Sequence, residues 1–389
     1  MRIFLACQQS AHDYPIPASR FWRHYFFNAL TEAGHTVLEA SDVDWSRGLT
    51  PLEPVERAAW RTETWELTLD AVRTAHRTQA VDLFLSYLYP NQVAPEALRI
   101  IRALGVPCVN FFCDNVREFR RVPSVYNAFD LHWVPEAKAL PLYRKAGLPH
   151  LHAPMPCWVE PRHRHPGHRE EFGPTFIGSR DLLRTELLSA AIALGAAITV
   201  RGPGWSGPEK RIAAARSMGL SRRLSNQSAF IRRHGILGWL RKNARHLAPA
   251  PPPPPVPLSA IAPAVFGDDY VRMTQDSSVT IGINRYPSFR QSLSRPDTYS
   301  RLRDIEAPML GACYLTEWTE GLDQLYVLGE EIETYRTPDE LVEKLHRLQS
   351  DPRHRSKLRA NGQRRALGEH TIARTIERIA QQLGLSRRA

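Results

Sequence analysis

The sequence of 389 residues exceeds the length at which one hydrophobic core usually keeps growing, so two domains of roughly 150 to 200 residues are expected. Its 43% hydrophobic and 23% charged residues are typical of a globular protein, and the absence of an apolar run of about 18 residues or a complete signal peptide predicts a soluble, cytoplasmic protein without a transmembrane segment. The net charge of +11 favours anionic ligands such as nucleotide diphosphates, nucleic acid or membrane surfaces, without selecting among them.

Five cysteines, at positions 7, 108, 113, 157 and 313, form no C-x-x-C pair. An odd, scattered set indicates neither a disulfide framework nor a zinc knuckle, so buried thiols are expected. The histidine-rich hinge at 150–168 has no accompanying framework of cysteines or carboxylates at metal-ligand spacing, and no metal site is predicted there.

Short apolar strands alternate with amphipathic helices through the first 160 residues. Strands are predicted at residues 3–6, 36–38, 81–86, 106–112, 130–134 and 151–153. Glycines such as Gly34, Gly105 and Gly147 end the intervening helices. This alternation predicts a parallel, doubly wound sheet over residues 1–160.

Ligands of such sheets bind beyond the carboxyl ends of the strands. Asp114 follows the apolar segment 106–113, where it either orients an acceptor hydroxyl and acts as a base, or caps the following turn. The aromatic cluster at 21–27 offers a platform for a sugar, but its helical spacing favours core packing.

A second series of strands and helices begins at Thr175. The predicted strand 175–177 runs into Gly178, Ser179 and Arg180 before a helix. Two interpretations are open: the accessible backbone N–H groups of Gly178 and Ser179, with Arg180 and Arg184, bind a phosphate at the helix start, or the segment is a tight turn with surface arginines. Arg201 ends the next predicted strand and is a further candidate ligand.

A basic and proline-rich insertion is predicted over residues 208–260, within the second domain. Its proline tract, 250–257, favours an extended polyproline helix. The insertion is open to four interpretations: a solvated basic excursion, or a binding segment for an SH3-like protein partner, nucleic acid or an anionic membrane. Nucleic acid is not the favoured partner.

The segment before the predicted strand at 313–315 has the most informative pattern. Arg301, Arg303 and Glu306 stand near the start of a short helix, and Asn284 ends the predicted strand 278–284. A diphosphate requires fixed arginine donors, and vicinal ribose hydroxyls require a carboxylate acceptor. The pattern therefore predicts a pocket for a nucleotide sugar.

The order of residues in this part of the chain is distinctive. It comprises Arg303, Glu306, Ala307, Gly311, Leu315, Thr316, the run 329–332, a capped helix from Thr337, and the closing Asn361, Gly362, His370, Thr371 and Arg374. This order resembles the C-terminal part of the spore-maturation CgeB-like glycosyltransferases, a branch of the GT-B enzymes. The resemblance implies an α/β GT-B fold, in which two Rossmann-like doubly wound parallel-sheet domains face a central cleft.

The resemblance also implies an activity and residue roles. Glu306 corresponds to the second glutamate of an E-x7-E pattern and is implied to contact the donor ribose, whereas Thr298 stands where the first glutamate would be. The implied reaction moves a sugar from a nucleotide diphosphate to an unknown acceptor, with retention of configuration and without a bound metal or other cofactor. The candidate catalytic residues are Asp114 and Arg303, and the candidate donor-binding residues are Gly178, Ser179, Arg180, Arg201, Asn284, Arg301 and Glu306.

The expected organisation is an acceptor-side domain at 1–160, a donor domain at 161–370 and a C-terminal helix at 371–389 that crosses back to the first domain. Two other function classes stay open. One is a non-catalytic binding or adaptor protein that uses the basic insertion, and the other is an epimerase acting on nucleotide sugars.

Overall fold

The computed structural model describes residues 1–14, 16, 18–165, 169–205, 227, 230–231, 235–243, 252–288, 291 and 295–385, with the backbone alone at 18–20. Much of the predicted insertion, the start of the proline tract and the end of the histidine-rich hinge therefore lie outside the described residues. The last four residues lie wholly outside them. The chain divides into unit 1, Met1–Trp158 with Gly368–Ala389, and unit 2, Val159–Leu367.

Unit 1 contains a six-stranded parallel sheet. Its strands are β1 (Arg2–Ala6), β2 (Thr36–Leu38), β3 (Leu83–Ser86), β4 (Cys108–Phe111), β5 (Leu131–Val134) and β6 (His150–His152), in the order β2-β1-β3-β4-β5-β6. Phe4 pairs with Leu38 on one side and with Phe84 on the other, so β1 is an interior strand. The hydrophobic strands are buried on both faces, as expected for a parallel sheet.

Helices follow most of these strands. They are α1 (Ala18–Glu32), α2 (Pro54–Thr78), α3 (Pro95–Ala103), α4 (Asn115–Glu118) and α5 (Leu140–Ala146). Trp22 and Phe26 of α1 are buried against the ring of Phe111. The aromatic cluster at 21–27 is therefore part of the core, and its alternative interpretation as a sugar platform is wrong for these two side chains.

Unit 2 contains a second six-stranded parallel sheet and a short antiparallel ribbon. The sheet consists of β7 (Thr175–Ile177), β8 (Thr199–Arg201), β9 (Ile261–Ala262), β10 (Thr280–Gly282), β13 (Tyr314–Glu317) and β14 (Glu333–Tyr335), in the order β14-β13-β10-β7-β8-β9. The ribbon pairs β11 (Arg285–Tyr286) with β12 (Asp297–Thr298). The predicted α/β class with two parallel sheets is confirmed.

The helices of unit 2 are α6 (Leu182–Ala193), α7 (Gly267–Asp276), α8 (Arg303–Met309), α9 (Leu322–Leu325), α10 (Pro338–Ser350) and α11 (Pro352–Glu369). Thr337 caps α10 by accepting a hydrogen bond from the Glu340 amide at 3.2 Å, as its sequence predicts. Gly311 follows α8 with φ of 73°, a left-handed conformation that favours glycine.

The last helix, α12 (Ile372–Gln382), belongs to unit 1 and packs against α1. Ile372, Ile376 and Ile379 are fully buried and share one face of the helix. Within the part of the chain that is described, no helix is both long enough and apolar enough to cross a bilayer.

The predicted insertion ends earlier than residue 260. Val256, within the proline tract, is 5% exposed and packs in the core of unit 2, and β9 follows it as an edge strand beside β8. The end of the tract is therefore part of the folded unit. The five cysteines are free and buried, as predicted.

Candidate functional site

The turn after β7 is held by the loop that follows β8. The amide of Gly178 donates to the carbonyl of Arg201 at 2.8 Å, and the amide of Arg180 donates to the carbonyl of Pro203 at 2.9 Å. The indole of Trp205 donates to the Gly178 carbonyl at 2.7 Å. The prediction that the Gly178 amide is accessible to a ligand is therefore wrong, because that amide already has a partner.

A carboxylate caps the start of α6. Asp181 accepts a hydrogen bond from the Arg184 amide at 2.9 Å. The Arg184 guanidinium donates to the carbonyl and hydroxyl oxygens of Ser179 at 2.8 and 3.0 Å. Arg184 therefore holds the turn after β7 to the start of the helix.

Three guanidinium groups gather near the carboxyl end of β7. Arg303 donates to the carbonyl of Ile177, the last residue of β7, and Arg301 donates to the carbonyl of Arg285 at 2.9 Å. Burial and the charges of Arg301 and Arg303 lower the pKa of Arg184 to about 10. An anion bound among these groups would relieve their mutual repulsion.

Glu306 lies beside this arginine cluster, which we define as Arg184, Arg301 and Arg303. It is half-buried and one helical turn from Arg303, so both side chains share a face of α8. The hydroxyl of Tyr270 donates to Oε2 of Glu306, and the Arg303 guanidinium lies 5.3 Å from the centroid of the Tyr270 ring. Burial opposes the charge of Arg303, but Tyr270 and Glu306 outweigh it and raise its pKa.

Asp304 lies between Arg303 and Glu306 in the sequence and is fully buried. Its carboxylate accepts hydrogen bonds from Ser300 Oγ at 3.0 Å, the Arg301 amide at 2.9 Å and Tyr314 Oη at 2.8 Å. Burial raises its pKa despite these donors. Asp304 therefore anchors the start of α8 to β13 and fixes the backbone that carries Arg301 and Arg303.

A buried ion pair fixes the loop after β10. Glu317 at the end of β13 accepts from Arg285 Nε at 2.8 Å and lies 2.7 Å from its Nη2. The same carboxylate accepts from the amides of Asn284 and Arg285 at 3.1 and 2.9 Å. The Asn284 side chain donates to the Glu317 carbonyl at 2.8 Å and is 1% exposed. Asn284 thus holds the loop, and its buried amide does not present itself to a ligand.

Arg201 and Thr298 complete the predicted positions in unit 2. The guanidinium of Arg201 donates to the carbonyl of Pro263 at 3.1 Å, which ties β8 to the segment after β9. The hydroxyl of Thr298, where the E-x7-E pattern has its first glutamate, donates to Thr319 Oγ1 at 3.1 Å. Position 298 therefore has no carboxylate that could lie beside the arginine cluster.

Asp114 lies in unit 1, after β4. It occupies the N-cap position of α4, but its side chain makes no capping hydrogen bond to that helix. Its Oδ2 accepts a hydrogen bond from Tyr89 Oη at 3.4 Å, and its Oδ1 lies 3.4 Å from Arg117 Nη1. Asp114 is half-buried at the carboxyl edge of the sheet, where ligands of this fold class bind.

A second carboxyl group lies near Asp114. Glu136, two residues beyond β5, is 1% exposed and accepts a hydrogen bond from the Val116 amide at 3.2 Å. Burial, followed by the charge of Asp114, raises the pKa of Glu136 well above its ordinary value. Glu136 is therefore a buried carboxyl close to Asp114, and its surroundings favour the protonated form.

The structure brings Gly178, Ser179, Arg180, Arg301, Arg303 and Glu306 to the carboxyl edge of the sheet in unit 2, whereas Asp114 lies in unit 1. Arg184, a candidate phosphate ligand from its position at the start of a helix, joins Arg301 and Arg303 there. Sequence reasoning missed Tyr270, Asp304, Glu317 and Glu136.

Solved structures of similar fold cover nearly the whole chain. Sucrose-phosphate synthase from Thermosynechococcus elongatus is 15% identical, with a TM-score of 0.56 and 99% of both chains covered. A glycosyltransferase from Rickettsia africae is 9% identical, with a TM-score of 0.58 and 99% of both chains covered. HepE from Anabaena, in complex with UDP, is 13% identical, with a TM-score of 0.54, 99% of this chain and 100% of that chain covered. These similarities establish a GT-B-like fold.

A search of curated proteins finds no match. The sequence model described as glycosyl transferase-like matches residues 184–381, slightly more than half of the chain. This range begins at Arg184 and includes Arg301, Arg303 and Glu306 as well as the sheet edge that carries them. The chain therefore belongs to the glycosyl transferase-like family.

Proposed function

We propose that the protein transfers a hexose-type sugar from a nucleotide diphosphate to an acceptor, as a CgeB-like member of the GT-B enzymes. The observation that carries this proposal is the arginine cluster beside Glu306 at the carboxyl end of β7. Two phosphates need several fixed cations, and ribose hydroxyls need a carboxylate acceptor. Anabaena HepE, similar in fold, has been solved with UDP and with UDP-glucose, which supports a nucleotide-sugar donor.

In the proposed reaction, the bond between the anomeric carbon and the diphosphate oxygen breaks, and a bond from the acceptor oxygen to that carbon forms. Arg301 and Arg303 stabilise the negative charge that grows on the leaving diphosphate, and Arg184 adds a third cation. Glu306 holds the ribose. Because the guanidinium groups supply the positive charge, the proposal includes no bound metal.

As the new bond forms, the acceptor hydroxyl passes its proton to the departing diphosphate oxygen. We assign acceptor positioning to Asp114 in unit 1, whose carboxylate would hold that hydroxyl. The proposal includes retention of the anomeric configuration by displacement on the same face, without a protein nucleophile. Product stereochemistry, read from the anomeric proton coupling by NMR, tests this part separately.

Nucleotide binding is the first test. Thermal unfolding of the full chain with UDP, GDP and dTDP should reveal one nucleotide that stabilises the protein by about 2.7 kcal/mol at roughly 100 times its dissociation constant. Release of the same nucleotide from its sugar conjugate should then depend on an acceptor. Failure of every nucleotide to raise the unfolding temperature would overturn the proposal.

Arg303→Ala tests the assigned role of the cluster. Turnover should fall by about 100-fold or more, because one donor aimed at the developing charge is lost. Arg272→Ala is a matched control, since Arg272 also stacks on an aromatic ring, 5.6 Å from the centroid of Phe172, but at the amino end of β7. The control should keep wild-type turnover, and equal turnover in both variants would contradict the assignment.

A second candidate function is a nucleotide-sugar-binding protein without catalysis. The threonine at position 298, bonded to Thr319 where a glutamate would contact the donor, favours it. The two candidates differ in one result. Saturable binding of a nucleotide sugar, with no nucleotide release in the presence of broad acceptor mixtures, would select the binding protein.

A further inference from the structure

An exposed apolar face lies on the helical residues 235–243 of the insertion. Ile236 is 67% exposed, Leu237 is 69% exposed and Leu240 is 50% exposed. Positions three and four residues apart in a helix share a face, so these three side chains form one patch, which we call the insert patch. Large exposed aliphatic side chains clustered in this way mark a surface that contacts an apolar phase or a partner.

The sequence on either side of the insert patch is strongly basic. Residues 208–247 contain ten Lys or Arg residues and one acidic residue, Glu209, whereas the entire protein has a net charge of +11. Within the described part of this segment, Arg241 is exposed, and Lys242 lies 4.4 Å from the centroid of the Phe230 ring. Most of the excess positive charge of the protein is thus carried by the segment that also carries the insert patch.

We propose that the helical residues 235–243 dock the protein on an anionic phospholipid surface, with the insert patch entering the interface between headgroups and acyl chains. Helices that lie in this interface combine aliphatic or aromatic side chains on one face with Lys and Arg around it. The basic residues supply attraction to anionic headgroups, and the aliphatic side chains supply apolar burial. Both halves of this pattern are present in one short segment.

Nucleic acid fits the segment less well. Single-stranded nucleic acid is held by aromatic side chains on which bases stack, in addition to basic groups. The most exposed side chains here are aliphatic, and the indole N–H of the half-buried Trp239 is already donated to Gln227 Oε1 at 2.8 Å. Aliphatic exposure is the feature that selects a lipid surface.

Vesicle flotation of the full chain tests the proposal. The protein should float with vesicles that contain about a third phosphatidylglycerol in phosphatidylcholine, and should bind pure phosphatidylcholine at least tenfold more weakly. The triple variant I236S/L237S/L240S should bind the anionic vesicles at least about tenfold more weakly than the wild type does, because apolar burial is lost. The matched control V55S/L67S/I100S replaces three exposed apolar side chains of unit 1 and should bind as the wild type does.

A label gives an independent readout of insertion. Since all five native cysteines are buried, a Leu240→Cys variant accepts a thiol-reactive, environment-sensitive fluorophore at one accessible position. Its emission should shift to shorter wavelength with anionic vesicles, and a Val55→Cys variant should show no shift. The proposal is overturned if the protein does not float, or if the triple variant floats like the wild type. It is also overturned if a single-stranded RNA abolishes flotation and the emission of the label at position 240 does not shift with anionic vesicles.

Discussion

The hydroxyl of Tyr270 donates a hydrogen bond to Oε2 of Glu306 and thereby joins α7 to α8. The ring of the same tyrosine carries the guanidinium of Arg303, 5.3 Å from its centroid. One side chain therefore orients both the carboxylate and one of the cations of the candidate donor site. The hydroxyl contacts Glu306 and the ring contacts Arg303, so a substitution that removes only the hydroxyl tests the first contact alone.

Tyr270→Phe should weaken nucleotide binding while the protein stays folded. The ring that carries Arg303 is kept, but Glu306 loses a hydrogen bond to a charged acceptor, an interaction of about 1.5–3 kcal/mol. The dissociation constant for the nucleotide, measured by titration calorimetry, should rise about tenfold or more. Tyr14→Phe removes a comparable hydrogen bond to Asp44 in unit 1 and should leave the affinity unchanged. An unaltered affinity in the Tyr270 variant would show that Glu306 needs no such support.

Gly202→Ala should destabilise unit 2 and disturb the turn after β7. Gly202 has φ of +132°, and a Cβ there would lie 2.3 Å from the Gly178 carbonyl oxygen. Backbone strain and this contact together should cost on the order of 2 kcal/mol or more, measured by urea unfolding. Gly173→Ala is the control, because a Cβ at that position meets open space. Similar stability of the two variants would mean that the loops after β7 and β8 are loosely coupled.

Arg285→Met should destabilise the protein by about 3–5 kcal/mol, because Glu317, whose side chain is 4% exposed, would be left as an uncompensated buried charge. Chemical denaturation measures the change. Arg99→Ala breaks the exposed pair with Glu96 and should alter stability little. If both variants unfold at the same denaturant concentration as the wild type, the Glu317 pair does not hold the loop after β10.

Glu136→Gln should change how stability depends on pH. Burial and the charge of Asp114 raise the pKa of Glu136, so the folded protein keeps a proton that the unfolded chain releases above about pH 4.3. The folded state then binds more protons, and this contribution to stability is lost as the pH rises above that value, at up to about 1.4 kcal/mol per pH unit. The variant should gain stability relative to the wild type between pH 5 and 8.

Urea unfolding at several pH values measures this difference. Glu63→Gln, at an exposed position of α2, provides the control and should follow the wild type at each pH. A constant difference between wild type and Glu136→Gln across the range would show that Glu136 is ionised in the folded protein.

The parallel sheets and most of their helices follow from the sequence because their signals are local. The stripe of Ile372, Ile376 and Ile379, the Thr337 cap and the strand before Gly178 each depend on residues close in the chain. The predicted insertion includes Val256, because a proline tract gives no local signal of a core position. Only the packing of unit 2 shows that this residue already belongs to the core.

The candidate site was predicted less completely. Arg301, Arg303 and Glu306 stand together in the sequence, and they lie together in unit 2. The partners of Glu317 and Glu306 come from elements 32 and 36 residues away, respectively, so no local pattern contains them. The amides of the turn after β7 show the same limit of prediction from local sequence. The amides of Gly178 and Arg180 donate to carbonyls at the end of β8 and in the loop after it, and no local pattern in the sequence predicts these partners.

Unit 1 is assembled from both ends of the chain, since α12 packs against α1, whereas unit 2 is a continuous segment. During synthesis on the ribosome, residues 1–158 emerge well before the buried isoleucines of α12 that complete their core. The later-translated unit is therefore expected to finish folding first, and the earlier one to wait with part of its apolar surface uncovered, a stage at which chaperone binding and proteolysis would act.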